Sequence, residues 1–359
     1  MTLTRRDVFS GMAGLAIGGM FAKSAGAAGA ELQGKSVRIA TYGGSWRDAV
    51  DQHFASPLVS SGVNVEFVVG NPDDNLAKAA AARRTGQIPF DVMDGSSLTY
   101  PGANRAGFFE ALDYSRIPGS DAAPAWAREE AQVTVIWAAE GIVYNEKAFA
   151  DAGLQPPQTY LDLKDPKLKG KVAFPAPGNV HHWAPVVALA REAGGSESDM
   201  DPAVSLIQSI GSNYYFSSSA ELATRFGSGD IWAAPLGAGW AVRLKKSGLP
   251  INVSYPKIGD RTGSMWPGPL SVLKDTPNVD AAYAFLAEWF KTEGSTQFCL
   301  ATGSVPVPSE ARRKMAELAP EVAAMLLMDD DRIENSFRVD WASLDAEKWR
   351  ATWNSRIQG

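Results

Sequence analysis

The run from Val133 to Asn145, Val-Thr-Val-Ile-Trp-Ala-Ala-Glu-Gly-Ile-Val-Tyr-Asn, constrains the fold more than any other stretch. Its apolar, β-branched content predicts a strand, and at 13 residues it is about twice the usual length. Gly141, inside the run, marks a bend or a close backbone approach. A long strand with a joint is what a chain needs to cross from one lobe into another. Glu140 stands beside the joint, where it faces either a ligand on a cleft floor or solvent at a hinge. The 359 residues are enough for two lobes with sizeable cores.

Two earlier stretches share one logic. Val37 to Thr41 alternates as a strand, followed by Tyr42-Gly43-Gly44-Ser45-Trp46 and a helix. The glycines permit a sharp turn, Ser45 is the expected N-cap, and an aromatic residue stands on each side. A Gly-rich turn between a strand end and a helix N-terminus exposes backbone N–H groups, which makes this corner one wall of a small-molecule cleft. Val63 to Val69 reads as a second strand, and Asn71-Pro72-Asp73 starts a helix. Phe90 to Asp94 then forms a short buried strand ending at Gly95-Ser96-Ser97. Parallel strands would bring both turns to one edge, where Ser96 and Ser97 either bond a ligand or cap the next helix.

Further along, Ser217-Ser218-Ser219 makes a donor-rich helix start. A strand from Gly229 to Leu236 leads into Gly237-Ala238-Gly239-Trp240. Gly263 to Pro269 carries so much Pro and Gly that it reads as an irregular loop, a second crossover holding Trp266. Trp349 and Trp353 fall at core spacing on a final helix.

Thr4-Arg5-Arg6-Asp7-Val8-Phe9, a Gly-rich apolar run to Phe21, and Ala25-Gly26-Ala27 predict a twin-arginine-type signal over residues 1–30, too short to span a bilayer. The formal charge of −6 would become −8 once that segment is removed, which argues against a nucleic-acid partner. Cys299 is the only cysteine, so an internal disulfide and a Cys metal cluster are excluded. His181 and His182 are adjacent and point to different sides, so a shared metal is not expected.

The order of these pieces resembles the periplasmic solute-binding proteins of ABC importers, in the cluster that includes spermidine/putrescine-binding and ferric-iron-binding proteins. The resemblance covers nearly all of the mature chain. It rests on the opening strand through Trp46, on Phe90-Asp91-Val92, Gly141-Ile142-Val143-Tyr144-Asn145 and Lys169-Gly170-Lys171-Val172. It also rests on Gly229-Asp230, on Gly248-Leu249-Pro250-Ile251 with Tyr255-Pro256-Lys257, and on Thr302-Gly303-Ser304-Val305-Pro306. It implies an α/β, two-lobe binding-protein fold (type II-like), each lobe a mixed sheet flanked by helices, joined by strand crossovers. Lobe 1 would take 31–138 plus 269–315, and lobe 2 would take 139–268 plus 316–359.

The resemblance further implies a monomer that holds a small organic solute, polyamine-like or another amine or carboxylate, and delivers it to an inner-membrane permease. The contacts would be Tyr42, Gly43, Gly44, Ser45, Trp46, Ser96 and Ser97 on one side, and Glu140, Trp183, Ser218, Trp240 and Trp266 on the other. No catalytic residue, cofactor or metal is implied. Two departures bear on the solute. Gly237 stands where polyamine binders stack a tryptophan, and Gly268 stands where they place a carboxylate against an ammonium. Arg261 is a candidate partner for a carboxylate or phosphonate, or else a solvated loop residue. An exported hydrolase or redox enzyme is the contrasting class, but no Gly-x-Ser-x-Gly elbow or His/Cys cluster supports it. A sensor that reports a ligand to a membrane receptor is a third.

Overall fold

The computed structural model describes residues 32–358, so the predicted export segment lies outside the described residues. The run Val133–Asn145 is one continuous strand, β4, of the twelve among the described residues: β1 Ser36–Thr41, β2 Asn64–Val69, β3 Val92–Asp94, β5 Ala173–Pro175, β6 Tyr214–Phe216, β7 Ala233–Gly237, β8 Ile251–Ser254, β9 Lys257–Ile258, β10 Arg261–Thr262, β11 Ser264–Val272 and β12 Val305–Pro306. Twelve of the thirteen positions of β4 pair with neighbours, but not with the same ones. Its first half lies between β11 and β12, and its second half lies against β7 and β8.

Those pairings divide the molecule. On one side the strand order is β2-β1-β3-β11-β4, with β1, β2 and β3 parallel and β11 antiparallel to β3. On the other, β5 and β6 are parallel, and a bridge from Val172 to Ala233 joins them to β7. Gly141 sits at the changeover. A Cβ there would lie 2.3 Å from the Ser254 carbonyl oxygen, so the residue permits a close approach of strands and not a loose bend.

Each side has its own core. Under β1 and β3, Phe54 stacks on Trp289 at 3.8 Å, and Phe298 packs against both. On the far side the helix Trp183–Glu192 buries its whole first two turns with Ile207, Trp349 and Trp353. Complete burial of such aromatic side chains contributes roughly 2–3 kcal/mol each.

Three local expectations are corrected. Gly263 to Pro269 is not an irregular loop, because Ser264–Val272 forms β11, with a register shift at Gly268/Pro269. Around Pro267 the strand has only β4 as a partner, and the bulge absorbs the prolines, which is where sheets tolerate them. Ser45 is not the N-cap: Gly44 holds that position at φ 63°, a left-handed value that favours glycine, and no side-chain cap bond forms. The strand expected from Gly229 begins only at Ala233, since Gly229 closes the preceding helix in the left-handed conformation.

Candidate functional site

Because β1 and β3 are parallel, their turns do emerge side by side. Tyr42, Gly43, Ser45 and Trp46 border a cavity of about 330 Å³ that Ala138, Ala139, His181, Gly237, Trp240, Arg243, Trp266 and Ser304 complete. Ala138 and Ala139 of β4 border it, and the small side chain of the half-buried Ala138 leaves space there. Two adjoining cavities share Tyr42 and Trp266. One of about 80 Å³ reaches Asp94, and one of about 240 Å³ reaches Asn71, Asp73, Ser96, Trp183 and Arg350. The Tyr42 and Trp266 corners thus face a common gap between the two sides of the molecule.

Asp94 ends β3 and is buried. It accepts hydrogen bonds from the Thr41 hydroxyl and, at 2.9 Å, from Trp46 Nε1. No Lys or Arg pairs with it among the described residues, and burial pushes its carboxyl up to about 6 despite those two bonds. Trp46 is locked by this bond and by an edge contact with Phe298 at 5.0 Å, and Tyr42 meets Trp46 edge-on at 5.9 Å. Burial first, then the charge of Asp94, holds the Tyr42 phenol protonated. Asp91, three residues before Asp94, is the opposite case. Burial raises its carboxyl, but bonds from Arg38 (2.7 Å) and Thr276 (2.7 Å) outweigh that and lower it. Asp91 is committed to holding the sheet, while Asp94 is left to the cavity.

On the other wall Arg243 projects from the helix Ala238–Lys246, which follows β7. It donates to the Thr302 carbonyl at 3.0 Å, stacks 4.9 Å from the Trp240 ring, and makes no ion pair among the described residues. The helix start meets the opposing side at a pair of glycines. A Cβ on Gly239 would lie 3.0 Å from the Gly303 carbonyl oxygen, so nothing larger fits without displacement.

Glu140 borders none of these cavities and is not open to bulk solvent. It is buried, with His181 Nδ1 2.7 Å from its Oε1. Glu140 stands opposite Gly237 across β4 and β7, and a Cβ on Gly237 would fall 2.7 Å from the His181 ring. The absent side chain makes room for the imidazole. Asn179 fixes the loop that presents it, accepting from the His181 N–H at 3.0 Å and donating to Ser219 Oγ at 3.0 Å. His182 points the other way, into the core. Its Nδ1 lies 2.6 Å from the Pro175 carbonyl, its Nε2 accepts from Trp349 at 2.6 Å, and burial lowers it to about 3. The histidines do diverge, and among the described residues no cluster of three metal-ligating side chains forms.

A profile of the bacterial extracellular solute-binding proteins matches residues 59–325, well over half of the chain. The chain is a bacterial extracellular solute-binding protein. Over 288 residues, 76% of each chain, this solute-binding protein is 25% identical to the gamma-aminobutyric acid-binding protein of Pseudomonas aeruginosa. Among solved structures it superposes on an ABC transporter substrate-binding protein from Bradyrhizobium japonicum with a TM-score of 0.73 at 20% identity, covering 90% of this chain and 100% of the other. It superposes on a GABA receptor with a TM-score of 0.72 at 23% identity, covering 89% and 96%. These likenesses establish the two-lobe α/β binding-protein fold.

Of the residues singled out in the sequence, Tyr42, Gly43, Ser45, Trp46, Ser96, Trp183, Trp240 and Trp266 border the connected cavities of the binding protein. Gly44 caps the helix behind the turn. Ser97 is buried with its hydroxyl unpartnered and does not line these cavities, and Ser218 is exposed at the start of a short 3-10 turn. Arg261 lies on another face, donating to the Glu334 carbonyl at 2.9 Å. Asp94, Arg243, His181 and Ser304 also border these cavities and were not singled out as contacts in the sequence. Asp94 had a signal, since it ends a strand whose turn was already assigned to the cleft.

Proposed function

We propose that this protein captures a small zwitterionic solute, with amine and carboxylate apart, and passes it unaltered to an ABC permease of the inner membrane. The supporting observation is the division of charge around the gap. Asp73 and Asp94 border it from the side of β1 and β3, and Arg243 and Arg350 border it from the side of β7 and the last helix. A solute carrying both signs satisfies both walls, and its aliphatic middle rests against Trp46, Trp240 and Trp266. Gamma-aminobutyrate, named for two of the similar proteins, has that charge layout.

A spermidine-like solute fits less well. Gly268 carries no acid, Glu140 is already paired with His181, and two arginines would repel a second ammonium. The reading includes periplasmic residence after cleavage of the 1–30 segment, a monomer, lobes divided near 138/139 and 268/269, and hinge closure on the solute. It involves no turnover, metal or cofactor.

The test is native mass spectrometry of freshly purified protein, followed by calorimetry with gamma-aminobutyrate and putrescine. A retained amino acid, or tighter binding of the amino acid, supports the reading. Preference for putrescine, or chemical conversion of a bound solute, overturns it.

A further inference from the structure

The Glu140–His181 pair is costly to place where it stands. A carboxylate and an imidazole are both buried at the junction of β4 and β7, and the fold gives up a side chain at Gly237 to admit the ring. Stability alone does not call for such a pair, since apolar residues of similar size would serve as well or better. The geometry gives it another use. Glu140 accepts at Nδ1, which fixes the ring's orientation, and Asn179 fixes the backbone that carries it. His181 borders the cavity, and among the described residues Nε2 has no protein partner.

The same cavity holds Arg243, which makes no ion pair among the described residues, so an ammonium is disfavoured beside it. A carboxylate is favoured. To donate to a second carboxylate as well as to Glu140, the imidazole must carry a proton on each nitrogen. We infer that His181 reads the solute's carboxylate directly through Nε2, beside Arg243, and that Glu140 is the positioning residue behind it. The inference rests on the zwitterion reading. It adds that carboxylate selection is shared between the tethered arginine and an imidazole that Glu140 holds against the crossover strand.

The test uses the whole mature protein and three probes, β-alanine, gamma-aminobutyrate and δ-aminovalerate, each paired with the amino alcohol that replaces its carboxylate. Calorimetry gives the ratio of acid to alcohol affinity. Loss of a hydrogen bond to a charged group lowers affinity about 10-fold or more, so His181→Phe should reduce the ratio by that factor and leave alcohol binding nearly unchanged. A merely structural role would weaken acid and alcohol alike. Because His181→Phe strands Glu140, the double variant Glu140→Gln/His181→Phe is measured beside it, and cooperative thermal unfolding establishes which variants are folded. Glu140→Gln alone should give a smaller loss of the ratio.

A ratio unchanged from wild type in the folded variants, with Arg243→Ala reducing it, overturns the inference and leaves the zwitterion reading standing. A wild type that shows no preference for acid over alcohol removes the zwitterion reading, and the inference falls with it.

Discussion

The two walls of the gap present opposite charges in different ways. On the β1/β3 wall the acid is buried and rigid. Asp94 is held by Thr41 and Trp46, with its carboxyl pushed up to about 6 by desolvation. On the β7 wall the cation is open. Arg243 stands in the cavity from the last turn of its helix, tethered at one nitrogen to the Thr302 carbonyl. A buried acid without a cation is strained until an ammonium arrives, so it discriminates; an open arginine attracts and orients but costs little when empty. Under the zwitterion proposal, the contrast would assign exacting recognition of the amine to one lobe and capture of the carboxylate to the other, so that a single solute would draw the two together.

The largest break in that contrast is Arg243→Ala. Removing one partner of a charged contact should weaken gamma-aminobutyrate roughly 50-fold, with little change in unliganded thermal stability. Asp94→Asn comes next, at about 10-fold weaker binding by calorimetry. Here the unliganded protein should become more stable near neutral pH, because an unpaired buried charge is gone. An equal loss of stability in both variants would erase the distinction between the walls.

Acidity sharpens the same point. The folded carboxyl of Asp94 has a raised pKa, so the unliganded fold holds a proton that the unfolded chain has released. Its stability should therefore rise as pH falls from above 6 toward the ordinary carboxylate value, and Asp94→Asn should remove that slope. Affinity runs the other way, falling by up to about 10-fold per unit once pH drops below 6, because an ammonium needs the ionised form. Titrations in matched buffers across that range read both trends. The smallest effect expected is at the seam between the walls. In Gly239→Ala the new methyl meets the Gly303 carbonyl and displaces the Arg243 helix by a few tenths of an ångström, weakening binding about 3-fold by tryptophan-fluorescence titration.

Much of the frame was legible because it depends on local periodicity. The alternation in Val37–Thr41, the long, mostly apolar run of β4 and the core spacing of Trp349 and Trp353 each follow from one stretch of chain and need no distant partner. β11 was misread because Pro and Gly are punctuation only when the strand has neighbours on both sides, and that depends on β4 and β3. Glu140 was placed at the joint correctly, but its surroundings were not legible. His181 lies 41 positions away, and no pattern in either stretch signals the other. Arg243 looked like an ordinary basic residue near a helix end until Thr302 and Trp240 were seen to hold it in the cavity.

By itself, the sequence determined most of the segments that become strands, the helices they feed, and that the Tyr42 and Ser96 turns gather at one sheet edge. These are consequences of side-chain period and backbone freedom, properties a residue carries wherever it goes. The tertiary structure decided which charges are spent and which remain. Asp91 is consumed by Arg38 while Asp94 is left open, and Glu140 is consumed by His181 while Arg243 is left open. Pairing depends on what stands within a few ångströms, and only the folded chain sets that distance.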